Sequence, residues 1–188
     1  MLPGFLDIGT LLIIIHIFGI AAGAGGAFVS DAMFFLSVQD RIFTKVELTF
    51  MRLGSRMVWA GLTVLILSGI GLFSLAPEAY LSSSKFLAKI TIVVIIIVNG
   101  IVFHLSHIPR FHRHAERHFP SSEEFVRHSG LLMASGAISV TSWGSAIILG
   151  ALRGVPYSYV TIMLAYTVVL SIAVAIALLV RKRVLGLS

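Results

Sequence analysis

The side chains of this chain that could do chemistry sit inside apolar runs. His16 and Asp31 bracket the segment HIFGIAAGAGGAFVSD, His104 and His107 close the run IVVIIIVNGIVFHLSH, and His128 opens a further apolar stretch. Two imidazoles on facing helices can ligate a haem iron from both sides. Two or three imidazoles with a carboxylate can hold Zn, Cu or Fe. The same groups can relay protons, because imidazole titrates near neutral pH and burial moves a carboxyl toward it. The chain has no cysteine, which excludes thiolate metal sites and thiol catalysis. No nucleophile–base spacing and no phosphate loop is present, so hydrolase chemistry is excluded and any catalysis should be cofactor-borne redox chemistry.

These groups must be positioned by membrane helices. Hydrophobic residues make up 57% of the chain, charged residues 12%, and the mean hydropathy is +1.01. The apolar residues fall in runs of roughly 20, long enough to cross a hydrocarbon core of about 30 Å. The reading is an all-α, polytopic membrane bundle of one domain, with spans at about 7–36, 56–75, 84–107, 124–150 and 156–180. Without a basic n-region or a small-residue cleavage site, the first span is expected to be retained. Ser121 and Glu124 form a capping-box pattern ahead of the fourth span. Pro156 is expected at or near the first position of the fifth. The mixed segment QDRIFTKVELTFMRLGSR reads as an interfacial amphipathic helix or as an extension of the second span.

Charge placement sets the expected orientation. Five spans with a cytoplasmic C-terminal RKR put the N-terminus outside, with eleven Lys and Arg on the cytoplasmic side and three (Lys85, Lys89, Arg153) outside. The net charge of +6 is then a topology signal and an attraction to anionic lipid, and no nucleic-acid partner is expected. The expected location is a bacterial inner membrane. The expected partners are the lipid bilayer and either a second copy of the chain or a membrane subunit.

On a helix, His16, Gly19, Gly23, Gly26 and Ser30 form one stripe. It serves either as a helix-packing seam through Gly19, Gly23 and Gly26, or as room for a flat cofactor beside His16. Asp31 lies near the cytoplasmic end of the same span, with Arg56 and the histidines as candidate partners. In the third span Gly100, His104 and His107 share a face by spacing, and the fourth span carries His128, Ser135, Ser139 and Ser142 as a polar stripe. If these spans are antiparallel neighbours, His104 and His128 meet at similar depth, with His107 and Asp31 close by. The candidate haem ligands are therefore His104, His128 and His16, and the candidate metal ligands His104, His107, His128 and Asp31. His114 and His118 add an i, i+4 pair in a basic loop, and Met163 stands at about the depth of His16.

HIFGIAAGAGGAF resembles the first-helix signature of the CopD-like copper-resistance membrane proteins, a His, six apolar residues, often a Trp, then x-Gly-Gly. LILSGIGLF is similar to their second-helix Ser/Thr-Gly-x-Gly segment. The resemblance spans about the first 75 residues, with Gly23 where the Trp is usual. It implies a four-helix core with an added helix, grouped loosely with cytochrome b561-like bundles, and b-type haem held by histidines. The functional expectation is a membrane protein binding haem b or a transition metal through intramembrane histidines, with electron transfer across the bilayer as its extension. The competing expectations are a small proton, metal or solute transporter or channel using Asp31 and the histidines, and an accessory subunit packing by its glycine seam.

Overall fold

The computed structural model describes residues 7–40, 44–113 and 123–185. These are helical throughout apart from short connections: α1 (Ile8–Asp40), α2 (Lys45–Leu75), α3 (Pro77–Leu81), α4 (Ser84–Val102), a π-helical turn (Phe103–His107), α5 (Ile108–Arg113), α6 (Glu123–Ala151) and α7 (Tyr159–Leu185). Five helical stretches are long and apolar enough to cross a membrane: Ile8–Ser37, Lys45–Leu75, Ser84–Phe111, Val126–Ala151 and Tyr159–Arg183. The chain is an integral membrane protein.

Local chemistry explains where the helices begin. Asp7 precedes α1, and its Oδ1 accepts from the Thr10 amide at 2.6 Å. Thr44 and Glu47 form a capping box: the Glu47 amide donates to Thr44 Oγ1 at 3.2 Å, and the Thr44 amide donates to Glu47 Oε2 at 2.8 Å. This box starts α2 at Lys45, so from Lys45 onward the mixed segment is an extension of the second span in one helix to Leu75, while Gln39 and Asp40 end α1. Ser83 caps α4 by accepting from the Phe86 amide at 3.3 Å. Pro156, expected in the first turn of the last span, lies in the connection before it. Ser158 caps α7 there by accepting from the Thr161 amide at 3.2 Å, because a hydroxyl satisfies a free helix-end N–H and proline cannot. Ser121, His114 and His118 lie outside the described residues.

The spans alternate in direction. Along α1 and α2, Leu12 meets Gly71, Gly19 meets Leu65 and Gly61, and Gly26 meets Gly54, so the two helices run antiparallel in closest approach. Glycine makes that approach possible. A Cβ at Gly61 would stand 2.6 Å from Gly23 Cα and 2.7 Å from Gly19 O; one at Gly19 would stand 2.9 Å from Leu65 N. The stripe is thus filled by the backbone of α2 and, at Gly23, by the Trp143 ring of α6. It is a packing seam, with no room for a flat cofactor.

α6 is the hub, packing against α4, α7 and α1. Leu62, Ile92, Trp143 and Tyr166 belong to one buried cluster, and Phe34, Met51, Phe111 and Met133 to a second, nearer the other end. Between them the charges sort by end. Among the described residues Lys45, Arg52, Arg56, Arg110, Arg113, Arg127, Arg181, Lys182 and Arg183 belong to one end of the bundle, and Lys85, Lys89 and Arg153 to the other. We refer to the first as the basic end.

Candidate functional site

Asp31 stands on α1 about two and a half turns before the helix ends. Its carboxyl faces α6, where Ser139 shares the lining of the same cavity. Gly136 on the same face of α6 leaves it room: a Cβ there would come 3.9 Å from Asp31 Oδ1. Asp31 Oδ2 is buried and has no hydrogen-bond partner. Arg56, the partner suggested by its position at the start of the apolar run, is exposed. The carboxyl therefore stands beside neutral hydroxyls of the cavity lining and makes no ion pair with Arg56.

Beside Asp31 is a partly open cavity of about 50 Å³ lined by α1, α2, α4, the π-helical turn and α6. Its polar lining is Ser30, Asp31, Ser55, Asn99, Ser135 and Ser139, and Trp59 and Trp143 give it apolar walls. Asp31 is the one charged residue among the described lining. Several of the hydroxyls are already committed. Ser30 Oγ turns back to Gly26 O at 2.8 Å. Asn99 and Ser135 bind each other reciprocally across α4 and α6, Asn99 Nδ2 to Ser135 O at 3.0 Å and Ser135 Oγ to Asn99 Oδ1 at 2.8 Å. The serine stripe of α6 is thus divided: Ser135 to α4, Ser139 to the cavity beside Asp31, and Ser142 to Tyr166 OH of α7 at 2.9 Å.

The histidines do not converge on Asp31. His16 Nδ1 lies 3.0 Å from Ser68 Oγ on α2. Because the Ser68 hydroxyl donates to Val64 O at 2.6 Å, it is the Nδ1–H of His16 that donates to Ser68. Lys89 on α4 is within electrostatic reach of the same ring. His104 turns to α2, its Nδ1 3.3 Å from Ser55 Oγ, and is exposed. His107 is 2% exposed, between the rings of Phe103 and Phe111 at centroid distances of 5.6 and 6.5 Å, and its Nε2 has no hydrogen-bond partner. The antiparallel register of α4 and α6, set by Lys85 Nζ on Leu152 O and by Asn99 on Ser135, brings His128 level with His107. The two imidazoles are within electrostatic reach of each other. The facing pair is therefore His107 with His128, while His104 serves α2. The π-helical turn at Phe103–His107 is the reason, since it inserts a residue into the helical repeat and rotates His107 off the face that carries Gly100 and His104.

The cavity beside Asp31 is too small to take a haem. A cavity of about 50 Å³ holds a few waters, whereas organic ligands take roughly 300–1,000 Å³. Nor does any group of three or more His, Asp or Glu suited to a metal ion occur among the described residues. What the site can do is hold a proton or a small cation on a carboxyl surrounded by hydroxyl and amide dipoles.

Ser55 and Ser68 escaped the sequence reading as partners. Their signal was present: each is a hydroxyl of α2 at the level of an α1 or α4 imidazole once the antiparallel register is drawn. No protein-family model matches the chain, and no curated protein or solved structure is significantly similar to it.

Proposed function

We propose that this protein moves protons, or a small cation in exchange for them, through the α1–α2–α4–α6 junction, with Asp31 as the group that binds the transported ion. The basic end is taken as cytoplasmic, in line with the bias of Lys and Arg across the membrane. One observation carries the reading: Asp31 Oδ2 is buried beside a polar cavity with no partner of its own. An ionisable group in a membrane span costs roughly 2.5–3.5 kcal/mol even on the gentler insertion scales, and such groups mark ion pathways. A purely structural aspartate would be paired with a cation, and Arg56, the nearest candidate by sequence, is exposed instead. Flux through proteoliposomes containing a trapped pH dye tests the proposal. Under a potassium diffusion potential the wild type acidifies or alkalinises the lumen at least tenfold faster than empty vesicles. Asp31→Asn falls to the empty-vesicle rate, and Asp31→Glu retains part of the flux.

A second reading has one observation in its favour. His107 Nε2 is buried without a partner at the level of His128 in the α4–α6 register, which suits a two-coordinate transition-metal ion. It ranks below the first, because Arg110 stands within electrostatic reach of the same ring and repels a cation. Metal analysis of the purified protein, with His107→Phe as control, tests it; an absorption spectrum with a Soret band would restore the haem expectation.

A further inference from the structure

The geometry points to His104 and Ser55 as the proton entrance that joins the basic end of the bundle to the Asp31 cavity. The inference rests on Asp31 being the ion-binding group. Ser55 is the connecting element. It is buried, it lines the cavity, and its hydroxyl is 3.3 Å from His104 Nδ1. His104 itself lies outside the cavity lining and is exposed. Arg52 and Arg56, both exposed, flank Ser55 along α2 and put it at headgroup depth, where an imidazole meets water. A histidine that touched only lipid would gain nothing from a serine on the cavity wall.

The groups facing this route are few. α2 contributes Ser55 to His104, with Arg52 and Arg56 on either side along the helix. α6 contributes Ser139 beside Asp31, and α4 contributes Asn99 to the cavity, already paired with Ser135. No second acid or base interrupts the path among the described lining residues. Proton bookkeeping then follows. A proton from the bulk adds to His104 Nε2 and makes the imidazolium. Its Nδ1–H passes to Ser55 Oγ as the Ser55 hydrogen passes to cavity water. That water gives a proton to Asp31 Oδ2. His104 is left neutral with its hydrogen on Nε2; the exposed ring regains the starting tautomer by taking a proton from the bath at Nδ1 and losing the Nε2 hydrogen to it, with no net proton consumed. One proton leaves the bulk and one arrives on Asp31. The cavity volume of about 50 Å³ accommodates the water this needs.

The route is tested on the rate at which Asp31 equilibrates with the bath, separately from net transport. The full-length protein in lipid vesicles is followed by infrared difference spectroscopy after a pH jump on the basic side. The carboxylic C=O band that Asp31→Asn removes is the reporter. Ser55→Ala and His104→Ala should each slow the appearance of that band at least tenfold while leaving its final amplitude unchanged. Imidazole added to the buffer should restore the rate in His104→Ala and have no effect in Ser55→Ala. Unchanged rates in both variants would overturn the route, as would the lack of any Asp31 band that responds to pH. If the band responds and slows as described but no net flux is measured, the entrance stands and the transport proposal fails. If flux depends on Asp31 and neither variant slows it or the band, transport stands and the entrance fails.

Discussion

Gly23 and Gly61 meet backbone to backbone, so close that a methyl group on Gly61 would stand 2.6 Å from Gly23 Cα. The whole α1–α2 pair, and with it the positions of His16 and Asp31 relative to α2, depends on this contact. Gly61→Ala should therefore separate the helices and cost about 1–3 kcal/mol, the usual penalty for overpacking. Gly25→Ala and Gly144→Ala place their methyl in open space. They should be neutral or gain up to about 1 kcal/mol from helix propensity. Thermal unfolding of the three variants in detergent distinguishes seam glycines from incidental ones.

The reciprocal Asn99–Ser135 bonds couple α4 to α6 beside the cavity. Membrane-protein hydrogen bonds average about 0.6 kcal/mol and reach about 1.7. A double-mutant cycle of Asn99→Ala and Ser135→Ala should return a coupling within that range. A coupling near zero would mean that the two side chains are held apart in the membrane.

Asp7, outside the spans, gives a pH dependence of known sign. Its hydrogen bonds with Thr10 hold its carboxyl below the ordinary carboxylate range. A group with a lowered pKa in the folded state stabilises that state above its unfolded value and loses the effect as pH falls through the folded one. The protection of the Thr10 amide, taken as its exchange rate relative to the intrinsic rate at each pH, should accordingly be greatest at neutral pH and fall only once the solution is acid enough to protonate Asp7. Asp7→Asn should flatten that profile.

The capping box of Thr44 and Glu47 sets where α2 begins. Thr44→Ala should cost about 1 kcal/mol, confined to fraying of the first turn. Faster exchange at Glu47 and Leu48, with the rest of α2 unchanged, is the expected signature.

Five spans, their antiparallel order and the glycine seam were readable from the sequence, because each depends on period and composition. The partner of each polar group was not. Helical spacing put Gly100, His104 and His107 on one face, but the π-helical turn from Phe103 to His107 breaks that period, and no residue in FHLSH announces it. The α6 serines were visible as a stripe, yet whether Ser139 met Asp31 or another residue depended on which helix lay opposite. The Thr44–Glu47 box, which the sequence reading did not single out, decides between an interfacial helix and an extended second span. Pro156 misled because Ser158, two residues on, is the better cap.

The central claim, that Asp31 binds the transported ion, is tested most directly by modifying that carboxyl and reading the flux of the same vesicles. A membrane-soluble carbodiimide reacts with a protonated carboxyl in an apolar setting, and peptide mass analysis gives the fraction of Asp31 carrying the adduct. Proton flux is predicted to fall in proportion to that fraction and to reach the empty-vesicle rate at full modification. Undiminished flux from vesicles in which every Asp31 carries the adduct would contradict the account.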